Sequence, residues 1–478
     1  MIGIISYGAY VPFYRLRHEE IGRAWGKKGG QGERAVAGWD EDTITMGVEA
    51  ARDCLQGVEN KTVDSLYFAT LTPPYSEKQS ASIIAAAINL REDVNTIDFA
   101  HSRRSGTNAL RAALDAVGHG SAKKALVVTA DCPIPPPDSA GEFIFGDGGA
   151  AFLIGDSGAI ATIDGSHTMA DEFLDFWRLP MDRHSQSWED RFVLDEGYMR
   201  IFPKVINGLM KKYNLGPKDF TRVVFDAPDP RSHQAMARGL GFDLKTQIQD
   251  PMFQSLGNTG TSFASMLLVA ALEKSKPGDK ILLANYGDGG DAFVLTVTDQ
   301  IGKGSEQQRG ITGYLGSKIY LESYGKYLRF RDLMEWEIDR RPPPRTSLPV
   351  YFRESKQLLR LIGQKCSQCG HEQFPRQRLC MWCQSKMEAP GEFENIEFAG
   401  KRGILFSYSL DERAPVMDLP NVGCVVDLEG GARYYGLMTD RDVSKIKIGI
   451  EMEFTFRRIN DAQGVHNYFW KVRPIRVK

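Results

Sequence analysis

Two glycine-rich stretches nearly repeat one another along the chain: GDGGAAFLI at residues 146–154 and GDGGDAFVL at residues 287–295. In each one a glycine-rich turn leads into an apolar run that is typical of a buried strand. The second copy begins about 140 residues after the first, which favours a duplicated structural unit. Two unrelated glycine turns are the alternative interpretation.

The sequence around the first copy alternates between two kinds of pattern. Short β-branched or apolar runs at 65–69 and 125–129 predict strands, whereas the patterns at 81–90 and 108–117 predict helices. Strands that alternate with helices indicate a layered α/β domain.

Composition excludes several classes of protein. The 478 residues carry 59 Lys and Arg against 61 Asp and Glu, and basic residues never run longer than a pair. This near-neutral balance predicts no nucleic-acid partner and no anionic membrane surface. The longest nearly apolar stretch, 262–272, is shorter than the roughly 18 residues of a membrane span. We therefore expect a cytoplasmic protein.

The major domain boundary is predicted at RRPPPR, residues 340–345. Three consecutive prolines there enforce an extended path without helix or sheet hydrogen bonds. Beyond it, residues 352–363 predict an amphipathic helix. Short runs separated by Gly and Asp turns then predict a small barrel, with strands at 403–408, 422–427, 434–438 and 452–457.

Four of the seven cysteines form a cluster with metal-binding spacing. They are two Cys-x-x-Cys pairs with ten residues between them, namely Cys366, Cys369, Cys380 and Cys383. Four thiolates at this spacing can surround one zinc ion and leave no position for water, so the predicted role of zinc is structural. Iron, or a site that has partly lost its metal, is the alternative.

Two groups of motifs carry family resemblances. QFPRQRLC at 373–380 and DLEGG at 427–431 resemble the zinc-ribbon/OB-fold proteins that accompany thiolases. The repeat, together with PPY at 73–75, DFWR at 175–178 and GN at 257–258, resembles the 3-hydroxy-3-methylglutaryl-CoA synthase branch of the thiolase superfamily.

The resemblance implies an α/β protein with a duplicated five-layered thiolase fold, followed by a zinc ribbon and a small OB-fold β-barrel. We place the thiolase-like domain at 1–335, a Pro-rich linker at 336–350, the helix and ribbon at 351–392 and the barrel at 393–478. The implied ligand is an acyl-CoA, and the implied assembly is a homodimer, alone or with another thiolase-type subunit.

The catalytic positions of the family are altered in this sequence. The family's nucleophile motif, Ala-Cys-x-x-Gly-Thr, aligns with SRRSGT, which puts Arg103 where the cysteine should be. Asp226 stands at the family's histidine, Leu71 stands at its glutamate, and Asn258 is retained. Arg231 keeps a cation where the family uses lysine near the CoA phosphates.

These replacements change the reaction mechanism that we expect. An arginine side chain stays protonated and cannot accept an acyl group, so an acyl-cysteine mechanism is not expected. We predict noncovalent catalysis on a CoA thioester. Asp226 acts as base, Asn258 lies near an enolate oxygen, and Arg103 holds a carboxylate or the developing negative charge. Tyr75 and Tyr286 are further candidates because their motifs fall near the expected pocket, and simple aromatic packing is the alternative interpretation.

Such a set suits aldol or retro-aldol chemistry on a β-hydroxyacyl-CoA, an activity also found among thiolase-fold proteins that have zinc-ribbon/OB-fold partners. The alternative is a non-catalytic acyl-CoA-binding scaffold, or a partner subunit of an active thiolase or acyltransferase. In that case Arg103 and Asp226 would form an inert buried ion pair.

Other polar residues receive weaker interpretations. Ser102 and Ser105 flank the nucleophile position without an evident base, and Cys54 and Cys132 are expected to be packing thiols. His233 is expected on a helix surface. The basic pairs at 401–402 and 457–458 are expected to be exposed cations that either contact CoA phosphates or are simply solvated.

Overall fold

The computed structural model describes residues 1–303, 308–335 and 345–476. Residues 336–344, which contain the three prolines of the predicted linker, lie outside these ranges. Residues 477 and 478 of the predicted barrel domain also lie outside them. In the part of the chain that is described, no helix is long and apolar enough to cross a membrane.

The strands of the amino-terminal body are β1 (Gly3–Tyr10), β2 (Tyr14–Arg17), β3 (Glu33–Val36), β4 (Ser65–Ala69), β5 (Asn95–Phe99), β6 (Lys124–Asp131), β7 (Gly148–Gly155), β8 (Ala161–Ala170), β9 (Phe176–Trp177), β10 (Gln186–Ser187), β11 (Arg222–Phe225), β12 (Lys280–Tyr286), β13 (Gly289–Val297) and β14 (Ile319–Tyr320). Nine of these strands form one large sheet in the order β11-β12-β13-β8-β1-β7-β6-β4-β5. The predicted strands at 65–69 and 125–129 are confirmed as β4 and β6.

The sheet consists of two halves with the same strand arrangement. In the first half β4 runs parallel to β6, β6 pairs antiparallel with β7, and β7 pairs with β1. In the second half β11 runs parallel to β12, β12 pairs antiparallel with β13, and β13 pairs with β8. The two GDGG stretches precede or begin the equivalent strands β7 and β13. The duplication predicted from the repeat is therefore confirmed.

Helices pack against both halves of this sheet, and α9 contacts strands of both. The helices of the body are α1 (His18–Ala24), α2 (Thr43–Cys54), α3 (Ser80–Ala87), α4 (Ser105–Gly118), α5 (Gly141–Ile144), α6 (Asp190–Phe192), α7 (Met199–Lys212), α8 (Pro230–Gly239), α9 (Phe263–Leu272), α10 (Gly310–Gly316) and α11 (Tyr324–Phe330). The predicted helix at 108–117 lies within α4.

The apolar stretch at 262–272 forms the most deeply buried helix. Every residue of α9 is buried, and α9 packs against β1, β7, β11 and β12. A helix that is hydrophobic all round is stable in water only inside such a core. Helix α2, capped by the Asp42 side chain on the Thr45 N–H, packs similarly against β1 and β7.

The single helix predicted at 352–363 is wrong. The structure has two short helices, α12 (Leu348–Arg353) and α13 (Ser355–Leu358), followed by a strand, β15 (Ile362–Cys366). The end of the predicted helix is recruited into β15 because that strand pairs with β17 (Phe393–Glu397). Tertiary pairing overrides the weak helical preference of this segment.

The carboxyl-terminal part consists of a small ribbon and a closed barrel. The ribbon sheet has the order β16-β15-β17, where β16 is Glu372–Gln373. Because β17 pairs with β15, the ribbon sheet extends past the predicted boundary at 392. The barrel, in the order β18-β19-β20-β22-β21, contains β18 (Arg402–Asp411), β19 (Asn421–Leu428), β20 (Arg433–Met438), β21 (Glu451–Ala462) and β22 (Val465–Pro474).

The barrel packs on the body through buried charges. Arg457 of β21 is fully buried and lies 2.7 Å from Asp440, 3.2 Å from Glu41 and 3.7 Å from Asp40. The expectation of an exposed cation at Arg457 is therefore wrong, since this guanidinium is enclosed by carboxylates from both parts of the chain.

The other three cations of these pairs differ in their surroundings. Lys401 is paired with Glu372 at 2.7 Å, and Arg458 lies 3.8 Å from Asp461. Arg402 is exposed at the start of β18, as expected.

Candidate active site

A cavity of about 230 Å³ opens at the ends of several body strands. Its wall is mainly apolar and includes Phe176 and the proline-rich segment 133–136 that follows β6. Three arginines also line the cavity, namely Arg103, Arg178 and Arg183. The cavity therefore suits a partly apolar ligand that carries or develops negative charge.

Arg103 lies in the turn that leads into α4, where the family's nucleophile was expected. Its backbone carbonyl accepts hydrogen bonds from the Thr261 hydroxyl at 2.8 Å and the Asn285 amide at 3.0 Å. Its guanidinium stacks over Phe176, 4.0 Å from the ring centroid. The backbone of this turn is thus fixed from the other half of the sheet, while the side chain projects to the cavity.

The second copy of the repeat comes very close to this turn. Gly287 adopts φ +156°, and a Cβ atom at this position would lie 3.0 Å from the Cβ of Arg103 and 3.0 Å from the backbone nitrogen of Arg104. Glycine is therefore required here for the turn after β12 to approach the start of α4.

Asp226 follows β11 directly and is 7% exposed. Its carboxylate accepts a hydrogen bond of 2.8 Å from the backbone N–H of Tyr286. Burial raises the pKa of Asp226 to about 7, although the Tyr286 bond and the charge of Arg103 both act in the opposite direction. A carboxyl group with this pKa can accept and return a proton near neutral pH.

Arg103 and Asp226 are neighbours without forming a direct ion pair. Between these two described residues no charged nitrogen and oxygen approach within 4.0 Å, yet the Arg103 charge still lowers the pKa of Asp226. Arg103 lines the cavity and Asp226 does not, so the two charges interact at a longer range than that of an ion pair.

Tyr286 joins the same cluster. It is 4% exposed, and its ring packs edge-on against Tyr198 at 5.4 Å. Burial, and next the neighbouring Asp175 carboxylate, raise the pKa of the Tyr286 hydroxyl. Tyr286 is therefore a neutral hydrogen-bonding group at physiological pH, and the structure brings it together with Arg103 and Asp226.

The Asn258 side chain forms hydrogen bonds with two backbone groups of the site. Its amide nitrogen donates to the Ala227 carbonyl at 2.9 Å, and its side-chain oxygen accepts from the Gly260 N–H at 2.9 Å. It thereby ties the segment carrying Asp226 to a cavity-lining turn. One of its amide hydrogens is committed to this contact, so its predicted role beside an enolate oxygen stays a prediction.

Asp131 is a site residue that the sequence analysis missed. It is completely buried at the end of β6 and lines the cavity. One carboxylate oxygen accepts from the Leu71 N–H and the Thr72 N–H and hydroxyl, and the other accepts from the Thr261 N–H. The sequence feature that could have identified Asp131 is a carboxylate at the end of the apolar run that forms β6.

Three other candidates lie elsewhere. The Tyr75 hydroxyl accepts a hydrogen bond of 2.8 Å from the backbone N–H of His466 in the barrel, which makes Tyr75 a contact between body and barrel. Arg231 is exposed in the first turn of α8. The surface position expected for His233 is wrong: it is 2% exposed and stacks on Phe225 at 4.4 Å, and burial lowers its pKa to about 4.

Alternative nucleophiles find no support in their surroundings. Cys54 and Cys132 are buried, and burial raises the pKa of both thiols. Ser105 is also buried, and its hydroxyl oxygen accepts a hydrogen bond from the Ser102 N–H at 3.3 Å. Among the described residues that line the cavity, none is a cysteine.

The four clustered cysteines meet in the ribbon. Their sulfur atoms all lie within 4.8 Å of one another, with 3.7 Å between Cys366 and Cys383 and 3.6 Å between Cys369 and Cys380. Zinc–sulfur bonds of about 2.3 Å in a tetrahedron separate the sulfurs by about 3.8 Å, so the cluster fits zinc. All four ligand positions are thiolates, which matches a structural site.

A family model supports the description of the ribbon. Residues 353–388 match the ChsH2 rubredoxin-like zinc ribbon domain. The predicted ribbon with its four-cysteine cluster is thereby confirmed.

The body resembles known proteins over most of its length. The chain is 35% identical over 337 residues to a hydroxymethylglutaryl-CoA synthase of Thermococcus sibiricus, covering 69% of this chain and 96% of that protein. It is 32% identical over 349 residues to one of Methanopyrus kandleri, covering 70% of this chain and 98% of that protein. A crystal structure of HMG-CoA synthase complexed with CoA shares the fold, with a TM-score of 0.62 and 19% identity over 72% of this chain and 94% of that one.

Proposed function

The chain belongs to the hydroxymethylglutaryl-CoA synthase family, and on that premise we propose that it makes or breaks a carbon–carbon bond in an acyl-CoA without a cysteine nucleophile. The reaction is an aldol or retro-aldol step on a β-hydroxyacyl-CoA. The observation that carries the proposal is a buried carboxyl group, Asp226, next to a cation, Arg103, that has no carboxylate partner within 4.0 Å among the described residues.

In the cleavage direction Asp226 removes the proton of the substrate's β-hydroxyl group. The O–H electrons form a carbonyl, the bond between the α and β carbons breaks, and its electron pair moves to the thioester as an enolate. Arg103 stabilises the negative charge on the enolate oxygen. The proton held by Asp226 then returns to the α carbon, which gives an aldehyde or ketone and a shorter acyl-CoA.

The environment of Asp226 supports this role. Burial brings its pKa to about 7, so proton transfer in both directions is feasible near neutral pH. The Tyr286 N–H bond fixes one carboxylate oxygen at 2.8 Å, and in the proposed reaction the other oxygen accepts the proton of the substrate. The Tyr286 hydroxyl interacts with the neighbouring Asp175 carboxylate.

The absence of acyl-enzyme chemistry is part of the proposal. Arg103 cannot be acylated, and the buried Cys132, although next to cavity-lining residues in sequence, has a thiol pKa raised by burial and by Asp147. The Arg331 guanidinium next to Cys132 acts in the opposite direction, but it also donates to the Asp147 carboxylate at 2.8 Å.

The scaffold alternative requires an inert, mutually neutralising pair of Arg103 and Asp226. The separation of these two groups argues against such a pair. The homodimer that the family resemblance implies stays a prediction, as does association with another thiolase-type subunit.

The decisive experiment incubates the purified chain with a panel of β-hydroxyacyl-CoAs of different chain length and branching. Mass spectrometry follows the appearance of the shorter acyl-CoA together with its aldehyde or ketone. Asp226→Asn is the inactive control, and Arg238→Ala, an exposed position on α8, is the matched neutral control. Turnover that survives Asp226→Asn, or binding without any turnover across the panel, contradicts the proposal.

A further inference from the structure

The hairpin of β21 and β22 reaches from the barrel to residues that directly follow the cavity wall in the sequence. At its tip His466 contacts the carboxyl end of residues 71–75, called here the cavity segment because Leu71, Thr72 and Pro73 line the cavity. The His466 ring packs on the Tyr75 ring with 4.7 Å between centroids, and the His466 backbone N–H donates to the Tyr75 hydroxyl at 2.8 Å.

Both ring nitrogens of His466 face hydrogen-bond acceptors. Nδ1 lies 2.6 Å from a carboxylate oxygen of Asp461, its cross-strand partner, and Nε2 lies 3.2 Å from the backbone carbonyl of Pro74. A carbonyl oxygen and an ionised carboxylate have no hydrogen to donate. The two contacts can therefore both be hydrogen bonds only when His466 is a doubly protonated imidazolium.

The other end of the cavity segment is held by the body. Asp131 accepts hydrogen bonds from the Leu71 and Thr72 N–H groups. The segment is thus fixed between a buried carboxylate at its start and the His466 imidazolium near its end. Proline at 73 and 74 removes two backbone donors, so the contacts to Pro74 and Tyr75 are the described anchors at this end.

We propose that His466 is a positioning residue that clamps the cavity segment against the barrel and thereby shapes the acyl-binding wall. The clamp is complete when the imidazolium bridges Asp461 and Pro74, and it loosens when His466 loses a proton. Its link to catalysis rests on the proposed function, whereas the clamp itself does not.

The groups around His466 determine the direction of the pH effect. Asp461 raises the pKa of His466, first through its hydrogen bond, while burial and the nearby Arg458 oppose this. Tyr75 and Tyr468 pack beside the ring as neutral phenols, since burial raises the pKa of both. Asp42 adds a negative charge next to Tyr468, whose hydroxyl donates to it at 2.7 Å.

Because the folded-state pKa of His466 is raised, the clamp is present at low pH and is lost as the pH rises through that pKa. Asp461→Asn keeps the shape of the carboxylate but removes its charge, so it shifts this loss to lower pH. His466→Phe keeps an aromatic ring against Tyr75 and removes both ring donors.

The test measures hydrogen–deuterium exchange of the peptide that contains the cavity segment, in the whole chain and without substrate. After correction for intrinsic rates, we expect about tenfold faster exchange at pH 6 in His466→Phe. In the wild-type chain exchange accelerates as His466, titrated by NMR, deprotonates above its ordinary value of about 6.5. His119→Phe, at an exposed histidine beyond α4, is the control and leaves exchange unchanged.

If the chain turns over a thioester, His466→Phe raises KM about tenfold and changes kcat less than about twofold, since the clamp shapes the wall and takes no part in proton transfer. Unchanged exchange in His466→Phe, or titration of His466 below about 6.5, overturns the clamp. Because exchange is measured without substrate, a chain with no turnover overturns the proposed function and leaves the clamp to be judged separately.

Discussion

The Arg103 guanidinium stacks on Phe176, with 4.0 Å between its central carbon and the ring centroid. This contact holds the cation over the cavity instead of against Asp226, so its charge is available to a ligand. Cation–π contacts of this kind contribute about 0.5–2 kcal/mol, enough to orient a side chain without neutralising it.

Replacing Asp226 by Asn tests the base directly. The substitution keeps size and hydrogen bonding but removes the proton acceptor, so turnover should fall about 100-fold or more while ligand affinity changes little. Steady-state kinetics and calorimetry on the same preparations measure the two effects. A variant that retains full turnover would exclude Asp226 as the base.

The raised pKa of Asp226 determines the direction in which activity and folding stability should change with pH. Since the folded-state pKa is raised to about 7, kcat/KM should rise with pH and level off above about pH 7, when the carboxylate is formed. Folding stability should change in the opposite direction, because charging this buried group is unfavourable. Asp226→Asn should therefore have a higher melting temperature than the wild type at pH 8 and a similar one at pH 4. Equal melting temperatures at pH 8 would argue against the raised pKa.

Replacing Arg103 by Cys restores the family's nucleophile in form only. We expect no efficient synthase and no acyl-enzyme, because Asp226 and Leu71 leave that thiolate without histidine and glutamate partners. Melting temperature should change little, since no direct ion pair to Asp226 is broken. Arg103→Lys keeps the charge and is the matched control. A large loss of stability in Arg103→Cys, with no turnover by the wild type or the variant, would favour the inert-pair scaffold.

The ribbon should contain one zinc ion per chain. Elemental analysis of freshly purified chain, prepared without chelator, measures the ratio directly. Cys369→Ser should abolish stoichiometric zinc and lower solubility, because metal binding and ribbon folding are coupled. Cys424→Ser, at a buried cysteine of β19 far from the cluster in sequence, should retain the zinc. Fresh protein without zinc would contradict the assignment.

CoA thioesters should bind the body in a salt-dependent way. Arg231 is exposed in the first turn of α8, where a cation can reach a phosphate, so Arg231→Ala should weaken binding about fivefold at low salt. The difference should shrink as salt screens the contact. Arg238→Ala, on the last turn of the same helix, should bind normally. Calorimetry at several salt concentrations checks both, and equal affinities in the two variants would exclude Arg231 from the site.

The buried charges between body and barrel should dominate stability. Arg457→Ala leaves Asp40, Glu41 and Asp440 without their shared partner and should cost about 3–5 kcal/mol of unfolding free energy. Arg433→Ala, which removes an exposed arginine paired with Asp427, is the control and should leave the denaturation midpoint unchanged. Equal midpoints in both variants would show that the network contributes little.

Local sequence patterns were sufficient to predict the structural features that depend on a few neighbouring residues. The two GDGG stretches predicted a duplicated sheet because glycine turns and apolar strands have short-range signatures. Spacing alone predicted the four-cysteine cluster, since each Cys-x-x-Cys pair brings its two sulfurs together within one turn. The aligned motifs also predicted that Arg103 and Asp226 share one site.

Tertiary structure decided the properties that depend on burial and on long-range packing. Asp226 meets the Tyr286 N–H because β11 and β12 run parallel as neighbours, a pairing between residues 60 positions apart. The same packing buries Asp226 and so raises its pKa, and it encloses Arg457 and His233, which the sequence alone suggested were exposed. Desolvation depends on which elements cover a side chain, and no local spacing specifies that. The sequence thus determined which chemical groups are present, and the packing of the two sheet halves and the barrel decided their protonation and their partners.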